Sequence, residues 1–475
     1  MRKPPLILTA VALTVFMAPA CAQMLDIYST RSEVPAEPSA SMASVTACGT
    51  ARERDKLRAL TLEDAILLSI CSHPQLRQTW SNARAAAADV GVSKAAYWPT
   101  LNVTAGIQRD NLTSTYSIGS QTQRSTSRYE MINLSWVLFD FGARGANLDR
   151  ARALLRAANA TNDDTLQSVF YDAAQAFYQM RDAQAAVDAA YEVERAAQES
   201  LAEATARHSG GAGTLGDALQ AQTTYRKALL DRVSAEGDMQ AAVGSLATTL
   251  GVDADTPLRI DDVQPMPDRA EFTRGVSDLI SEAKRSHPKL IAARERLEAA
   301  RDEVRSVRAQ SLPTISLTGS MGRNNPSYQQ QASLLQLQSS RSNSIGIQIS
   351  IPLFEGFASG YRIAGAQARA DAKEADVRNT ELQVSLDVWK SYQSLQTDTA
   401  NLDNSQHLLE TALHSLDIAR GRYRAGVGTF TDLLNAQSAL ADARRQRVLA
   451  VSKWRIARLK LAESLGRLGL WNDAG

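Results

Sequence analysis

Cysteine is scarce: three in 475 residues. So few thiols support neither a disulfide scaffold nor a thiolate metal framework. Histidine is nearly as rare, with five, and His208, His407 and His414 form no ligand spacing with His73 or His287. A net charge of +1 gives no reason to expect a nucleic-acid partner. No apolar run after the first 22 residues reaches the roughly 20 that a membrane helix needs. No nucleophile–base pair, phosphate loop or metal spacing stands out, so the chain reads as no enzyme and implies no cofactor. The most informative absence lies between Ala146 and Arg207, where there is neither proline nor glycine. One unbroken helix there would reach roughly 90 Å at about 1.5 Å per residue. No ordinary globular domain needs that length.

What is present comes in two copies. Arg207 to Gln222 reads RHSGGAGTLGDALQAQ, and Arg422 to Gln437 reads RYRAGVGTFTDLLNAQ, 215 positions on. Gly211 and Gly213 correspond to Gly426 and Gly428, Thr214 to Thr429, and Asp217 to Asp432. Paired glycines let a helix stop and the chain reverse. Thr214 and Thr429 then cap the next helix, with an acid in its positively polarised first turn. Each copy predicts a sharp helix–turn–helix tip. A capping role alone explains an acid in both copies, whatever else these acids do.

Residues 1–22 read as a secretory signal, with Arg2 and Lys3, an apolar stretch from Leu6 to Met17, and a small-x-small cut at Ala20-Cys21-Ala22. The rival reading is lipidation of Cys21, against which Ala18 stands where a lipoprotein signal carries Leu. Cys48 and Cys71 remain, and can pair in an oxidising compartment. Residues 23–55 predict an irregular arm. The first repeat, 56–251, then reads as helix, hairpin 101–138, long helix, tip 207–217 and return helix. A proline-rich linker, 252–274, with one short strand at Leu258–Ile260, leads to the second repeat, 275–468, with hairpin 315–351 and tip 422–432. A tail, 469–475, ends the chain. His73-Pro74 and His287-Pro288 mark helix starts, where proline's missing N–H costs nothing. Pro99-Thr100 and Pro313-Thr314 mark the ends.

The strands alternate. Leu101, Val103, Ala105 and Ile107 form one face of the first; Ile132, Leu134, Trp136 and Leu138 of the second; Ile315 and Leu317 of the third; Ile345, Ile347, Ile349 and Ile351 of the fourth. The connections, near Asp110–Arg128 and Gly322–Asn343, are rich in Ser, Gln, Asn and Thr and read as long polar loops. That pattern suits an outer-membrane barrel with Leu101, Val103, Ile107, Ile132, Leu134, Trp136, Ile315, Leu317, Ile345, Ile347 and Ile349 toward lipid. The alternative is an ordinary half-buried sheet. Four strands cannot close a barrel, for which about 8 is the minimum, so several chains must share one. On the long helices, Leu166, Val169, Ala173, Ala176, Met180, Ala183, Val187 and Ala190 step as a coiled-coil seam, and Val388, Leu395, Leu402, Leu409 and Leu416 recur every seven residues. A second stripe through Phe170, Phe177 and Tyr191 suits a helix with neighbours on both sides.

The duplicated HP…PT segments, the hairpins and the duplicated R-x-x-x-G-x-G-T-x-x-D tips resemble the TolC family of outer-membrane channels, from Leu60 to about Leu468. The resemblance implies a mixed, mainly α fold: a homotrimer with four strands per chain in a shared twelve-stranded β-barrel, continued by a coiled-coil α-helical barrel in the periplasm. It implies docking at the tips (Arg207, Gly211, Gly213, Arg422, Gly426, Gly428) with a periplasmic adaptor, or membrane fusion protein, and an inner-membrane ABC transporter. It places Asp432 in a constriction ring, and Tyr423 and Asp217 as bridges between coils of the closed channel. Two departures stand out: Gly428 replaces a latching arginine, and Asn435 stands where a second aspartate ring would be. Both imply looser closure and weaker cation block. Within the family the similarity leans to the branch exporting an adenylate cyclase–haemolysin toxin. That makes the chain an exit duct of type I secretion, passing an RTX-type protein from the periplasmic machinery to the medium. Small-molecule efflux through the same duct is the alternative, and a periplasmic coiled-coil scaffold without a pore is the second.

Overall fold

The computed structural model describes residues 26–35, 59–211, 213–260, 275–328 and 339–468. The signal segment with Cys21, most of the arm with Cys48, most of the linker and the tail lie outside them. The elements run α1 (Leu62–Ser72), α2 (Pro74–Ala95), β1 (Thr100–Tyr116), β2 (Gly119–Phe139), α3 (Ala143–Ser209), α4 (Leu215–Thr249), α5 (Val276–Ser286), α6 (Pro288–Ala309), β3 (Thr314–Tyr328), β4 (Ser340–Ser350), α7 (Ala358–Arg424) and α8 (Phe430–Ser464). A short 3₁₀ turn covers Thr30–Glu33. The helices α3 and α7 are each 67 residues long, about 100 Å at the standard rise. Among the described residues no helix is long and apolar enough to cross a membrane.

The chain divides into two compact units, each drawing on both halves of the sequence. The first holds Ala83–Ala157 and Arg294–Asp376, and with them the whole sheet. The strands are antiparallel in the order β1-β2-β3-β4. Its helical part is sewn with alanine: Ala87, Val90, Ala151 and Leu155 form one cluster, and Val304, Ala366 and Ala370 another. Small side chains let helices approach closely, and ion pairs line the rims: Arg156–Glu295 at 2.7 Å, Arg369–Glu303 at 3.0 Å and Arg150–Glu303 at 3.7 Å.

The hairpins correct one expectation. Asp110–Arg128 is not a loop. β1 and β2 stay paired out to Tyr116↔Gly119, so only Ser117 and Ile118 turn the chain, with Gly119 at φ 136°. Threonine-rich polar segments keep good strand propensity, so a polar stretch need not be a loop. β3 likewise runs to Tyr328 and β4 begins at Ser340; residues 329–338 lie outside the described residues. A second correction concerns Leu138. A bulge between Val137 and Phe139 makes Phe139 the partner of Ile315, since an extra residue in one strand resets its two-residue period.

The second unit holds Pro35–Asn82, Ala158–Ala293 and Val377–Gly475. The seam of α3 is buried at Val169, Ala173, Ala176, Met180 and Val187, and that of α7 at Val388, Leu395, Leu402 and Leu416. Two repeated joints frame it. α1 and α5 end at His73 and His287, whose Nδ1 atoms accept the backbone N–H of Gln75 (3.3 Å) and Lys289 (3.2 Å) in the next helix. The return helices end at Gly251 and Gly466, with φ 75° and 74°. A Cβ on Gly251 would stand 2.8 Å from the Ser72 oxygen, and one on Gly466 2.9 Å from Pro288 Cδ. Desolvation holds the buried His287 below the ordinary imidazole range, which fits a neutral ring accepting a hydrogen bond. Leu60 and Ile260 form an isolated parallel bridge where a short strand was expected. Cys71 is disulfide-bonded.

Candidate functional sites: the helix tips and one face of the sheet

The tips are built by the duplicated residues. α3 stops because Gly211 takes φ 73°, and α7 stops because Gly426 takes φ 74°, a conformation that costs other residues a Cβ clash. Arg422 O then accepts the N–H of Val427 (3.0 Å) and Gly428 (3.1 Å). Gly213 and Gly428 serve by their size. A Cβ there would meet Arg207 Cβ at 3.1 Å and Arg422 Cβ at 3.0 Å, with backbone behind. Thr214 and Thr429 open the return helices in reciprocal capping boxes: the Thr hydroxyl accepts the Asp217 or Asp432 N–H at 3.1 Å, and the carboxylate accepts the Thr N–H.

Two of the predicted residues, Arg207 and Tyr423, meet across the two tips. The Arg207 guanidinium lies 4.4 Å from the Tyr423 ring centroid and pairs with Glu203 at 3.1 Å. Burial pushes the Tyr423 phenol up; the charges of Glu203 and Asp217 add to this and Arg207 opposes it. Phe430, 5.8 Å from Tyr423, joins Leu433, Leu434, Ala204 and Ala221 in one apolar cluster. Asp432 is exposed, and its carboxyl is held below the usual range by the Thr429 hydroxyl, then the Thr429 N–H, with a contribution from the Arg422 charge. Asn435 is exposed too, three residues further on and so on the same side of α8. Sequence reasoning missed Phe430 and Glu203. The signal for Phe430 was available, an aromatic directly after the cap.

The sheet gathers every predicted lipid-facing residue on one face. Cross-strand partners share a face, and the register runs Leu101↔Leu134↔Gly319↔Ile345, Val103↔Ile132↔Met321, Trp136↔Leu317↔Ile347 and Ile315↔Ile349. Ile107, opposite Arg128, lies on it as well. The other face carries Asn102, Thr104, Gln108, Asn133, Ser316, Thr318, Ser320, Ser344 and Gln348, with Ser320 and Ser344 hydroxyls 2.7 Å apart. At the end of the sheet nearest the helices stand exposed aromatics: Tyr97, Trp98, Trp136, Phe139, Phe141, Phe354, Phe357 and Tyr361. Trp136 Nε1 donates to Tyr97 O at 2.9 Å.

A sheet apolar on one face and polar on the other, tied to very long helices with capped tips, defines the class of outer-membrane channel proteins. Residues 66–252 and 279–467 match the family described as Outer membrane efflux protein, and the chain belongs to that family. It is 34% identical to Protein CyaE of Bordetella pertussis, over 87% of this chain and 86% of that one. It is 24% identical to the Proteases secretion protein PrtF of Dickeya chrysanthemi, over 86% and 89%. Among solved structures, the outer-membrane channel OprN superposes with a TM-score of 0.75 at 22% identity, covering 86% of this chain and 90% of that chain. The protein is thus a TolC-family efflux or secretion channel of the outer membrane, reaching into the periplasm.

Proposed function

We propose that three copies of this chain form the exit duct of a type I secretion system. In this reading a periplasmic adaptor and an inner-membrane ABC transporter feed it, and an RTX-type protein leaves through it. The observation that carries the trimer is the order β1-β2-β3-β4, in which the outer edges of β1 and β4 have no strand partner among the described residues. In lipid every backbone polar group must be satisfied, so an open four-stranded sheet cannot stand alone. Three copies give twelve strands and no edge. The apolar face, Leu101, Val103, Ile107, Ile132, Leu134, Trp136, Ile315, Leu317, Ile345, Ile347 and Ile349, then meets lipid, with the aromatic end at one interface. The printed name of PrtF supports secretion of a protein; the family description supports small-molecule efflux as the second reading.

The division into repeats 56–251 and 275–468 belongs to the same proposal, as do the roles of the tips. Three Asp432 carboxylates around one axis would repel one another and attract cations, with Tyr423 and Asp217 bridging the coils and Asn435 replacing a second acidic ring. Arg207, Gly211, Gly213, Arg422, Gly426 and Gly428 would meet the adaptor.

The test is deletion of the chain, with secreted protein measured in the medium beside drug sensitivity. Loss of one large secreted protein at unchanged drug sensitivity supports the duct for proteins. Intact secretion with raised sensitivity would transfer the function to efflux. Complementation with Gly213→Val or Gly428→Val should leave trimers in the membrane while export falls roughly tenfold or more, since a side chain there displaces packed backbone. Normal export from both would remove the tips from the docking surface.

A further inference from the structure

The four strands contain five arginines and no lysine: Arg109, Arg124, Arg128, Arg323 and Arg341. All five lie on the same face as the isoleucines and leucines, because they share its parity and register. They do not scatter along it. Glu130 pairs with Arg323, and Arg323 with Arg341. Arg128 is one step nearer the hairpin tip, opposite Ile107 and Asn325; Arg109 is opposite Thr126, and Arg124 opposite Asn111. The result is a basic collar directly beyond the row Val103–Ile132–Met321, on the side of the apolar band away from the helices. The opposite face carries one charged group, Asp110, in these strands.

The collar is uncompensated. Glu130 is the only acid on this face of the described strands, and among the described residues none of the five arginines makes an ion pair. All five are exposed. Arg323 and Arg341 are direct cross-strand partners, and like charges so placed destabilise a sheet unless an anion sits between them. A guanidinium fork matches a phosphate in two parallel hydrogen bonds.

We propose that this collar binds the phosphates of the outer-leaflet glycolipid, lipopolysaccharide, and so fixes the depth and the lipid shell of the barrel. The proposal rests on the reading that the isoleucine face meets lipid. The helices lie on the periplasmic side, so the hairpin tips and the collar beside them stand at the level of the outer-leaflet headgroups. With five arginines against one glutamate, each chain offers that layer four net positive charges.

The experiment uses the full-length protein reconstituted in phosphatidylcholine vesicles, with lipopolysaccharide or its dephosphorylated form added, and retained glycolipid measured by mass spectrometry. Wild type should retain the phosphorylated form and release the dephosphorylated one, with inorganic phosphate unable to compete. The triple variant R128Q/R323Q/R341Q should lose affinity by roughly a hundredfold, about fivefold for each arginine near a charged membrane surface, while keeping its conductance in phosphatidylcholine alone. Equal retention of both glycolipid forms by wild type would overturn the proposal without needing the variant, as would equal retention by a conducting variant. Failure of wild type to insert and conduct in phosphatidylcholine would instead overturn the lipid-facing reading, and the collar's role with it.

Discussion

The two tips have one backbone and two surfaces. Their glycines take φ 73° and 74°, and their capping threonines share φ −85° with ψ 153° and 155°. Their apolar residues behave differently. Leu215 and Leu219 are 57% and 54% exposed, while their counterparts 215 positions on, Phe430 and Leu434, are 8% and 9% exposed. The difference begins at His208, which stands where the second copy has Tyr423. Tyr423 fills the space under Arg207 and carries Phe430 with it, whereas the His208 ring faces its own turn at Gly213 O. Glycine, threonine and aspartate therefore dictate the turn, and the residues between them dictate what the turn packs against. The second tip completes the chain's own core. The first leaves leucines for another surface, which in the proposed trimer is a neighbouring chain.

The largest expected effect tests that division directly. Leu434→Ala should lower unfolding stability by about 2–4 kcal/mol, the usual cost of emptying a buried leucine site. Leu219→Ala should change it by less than about 0.5 kcal/mol, as exposed sites do. Urea unfolding followed by circular dichroism reads both. The trimer reading adds that Leu219→Ala lowers the temperature at which detergent-solubilised trimers dissociate. Equal unfolding costs at the two leucines would erase the contrast between the tips.

The turns were legible in the sequence because they depend on local chemistry. Thr214-x-x-Asp217 and Thr429-x-x-Asp432 require no knowledge of what lies across from them. The sheet face was legible for a similar reason, since a two-residue period survives any register. What the sequence hid was register and reach. Nothing in Asp110–Arg128 announces that β1 and β2 remain paired to Tyr116↔Gly119, because Ser, Thr and Gln serve strands and loops alike. The bulge that substitutes Phe139 for Leu138 depends on β3, nearly 180 positions away. The stacking of Arg207 on Tyr423 joins residues more than 200 positions apart. No spacing rule reaches that far, and only the duplicated frame hinted that the tips are neighbours.

A smaller effect should sharpen the shared backbone. Gly211→Ala and Gly426→Ala each force a Cβ into the left-handed region, at about 1–2 kcal/mol, and open space surrounds both. With matching φ and open surroundings, the two costs should agree within about 0.5 kcal/mol, the scale of departures from additivity at independent sites. Gly251→Ala carries the same penalty at φ 75° and also drives its Cβ against the Ser72 carbonyl. It should cost more than either tip variant in the same urea measurement. A Gly426→Ala cost well above that of Gly211→Ala would mean that the tips differ in backbone as well as in surface.

The smallest effect is a pH dependence at the second tip. The Thr429 hydroxyl and N–H hold the Asp432 carboxyl below the ordinary aspartate value of 3.8. A depressed folded-state value means that the cap's contribution is complete above about pH 4. It fades as pH falls through the lowered folded value. Asp182 has the opposite sign. Burial pushes it up to about 6, against the hydrogen bond from Ser452, so its contribution is complete below 3.8 and is lost as pH rises through about 6. Amide exchange at Thr429, corrected for intrinsic rates, should therefore stay constant from pH 7 to 4.5 and rise below 3.8. Asp432→Asn should flatten that profile, whereas Asp182→Asn should leave it intact and instead flatten the fall in thermal stability between pH 4 and 7. An Asp432→Asn profile identical to wild type would separate the carboxylate from the cap, and leave the threonine hydroxyl alone to hold the turn.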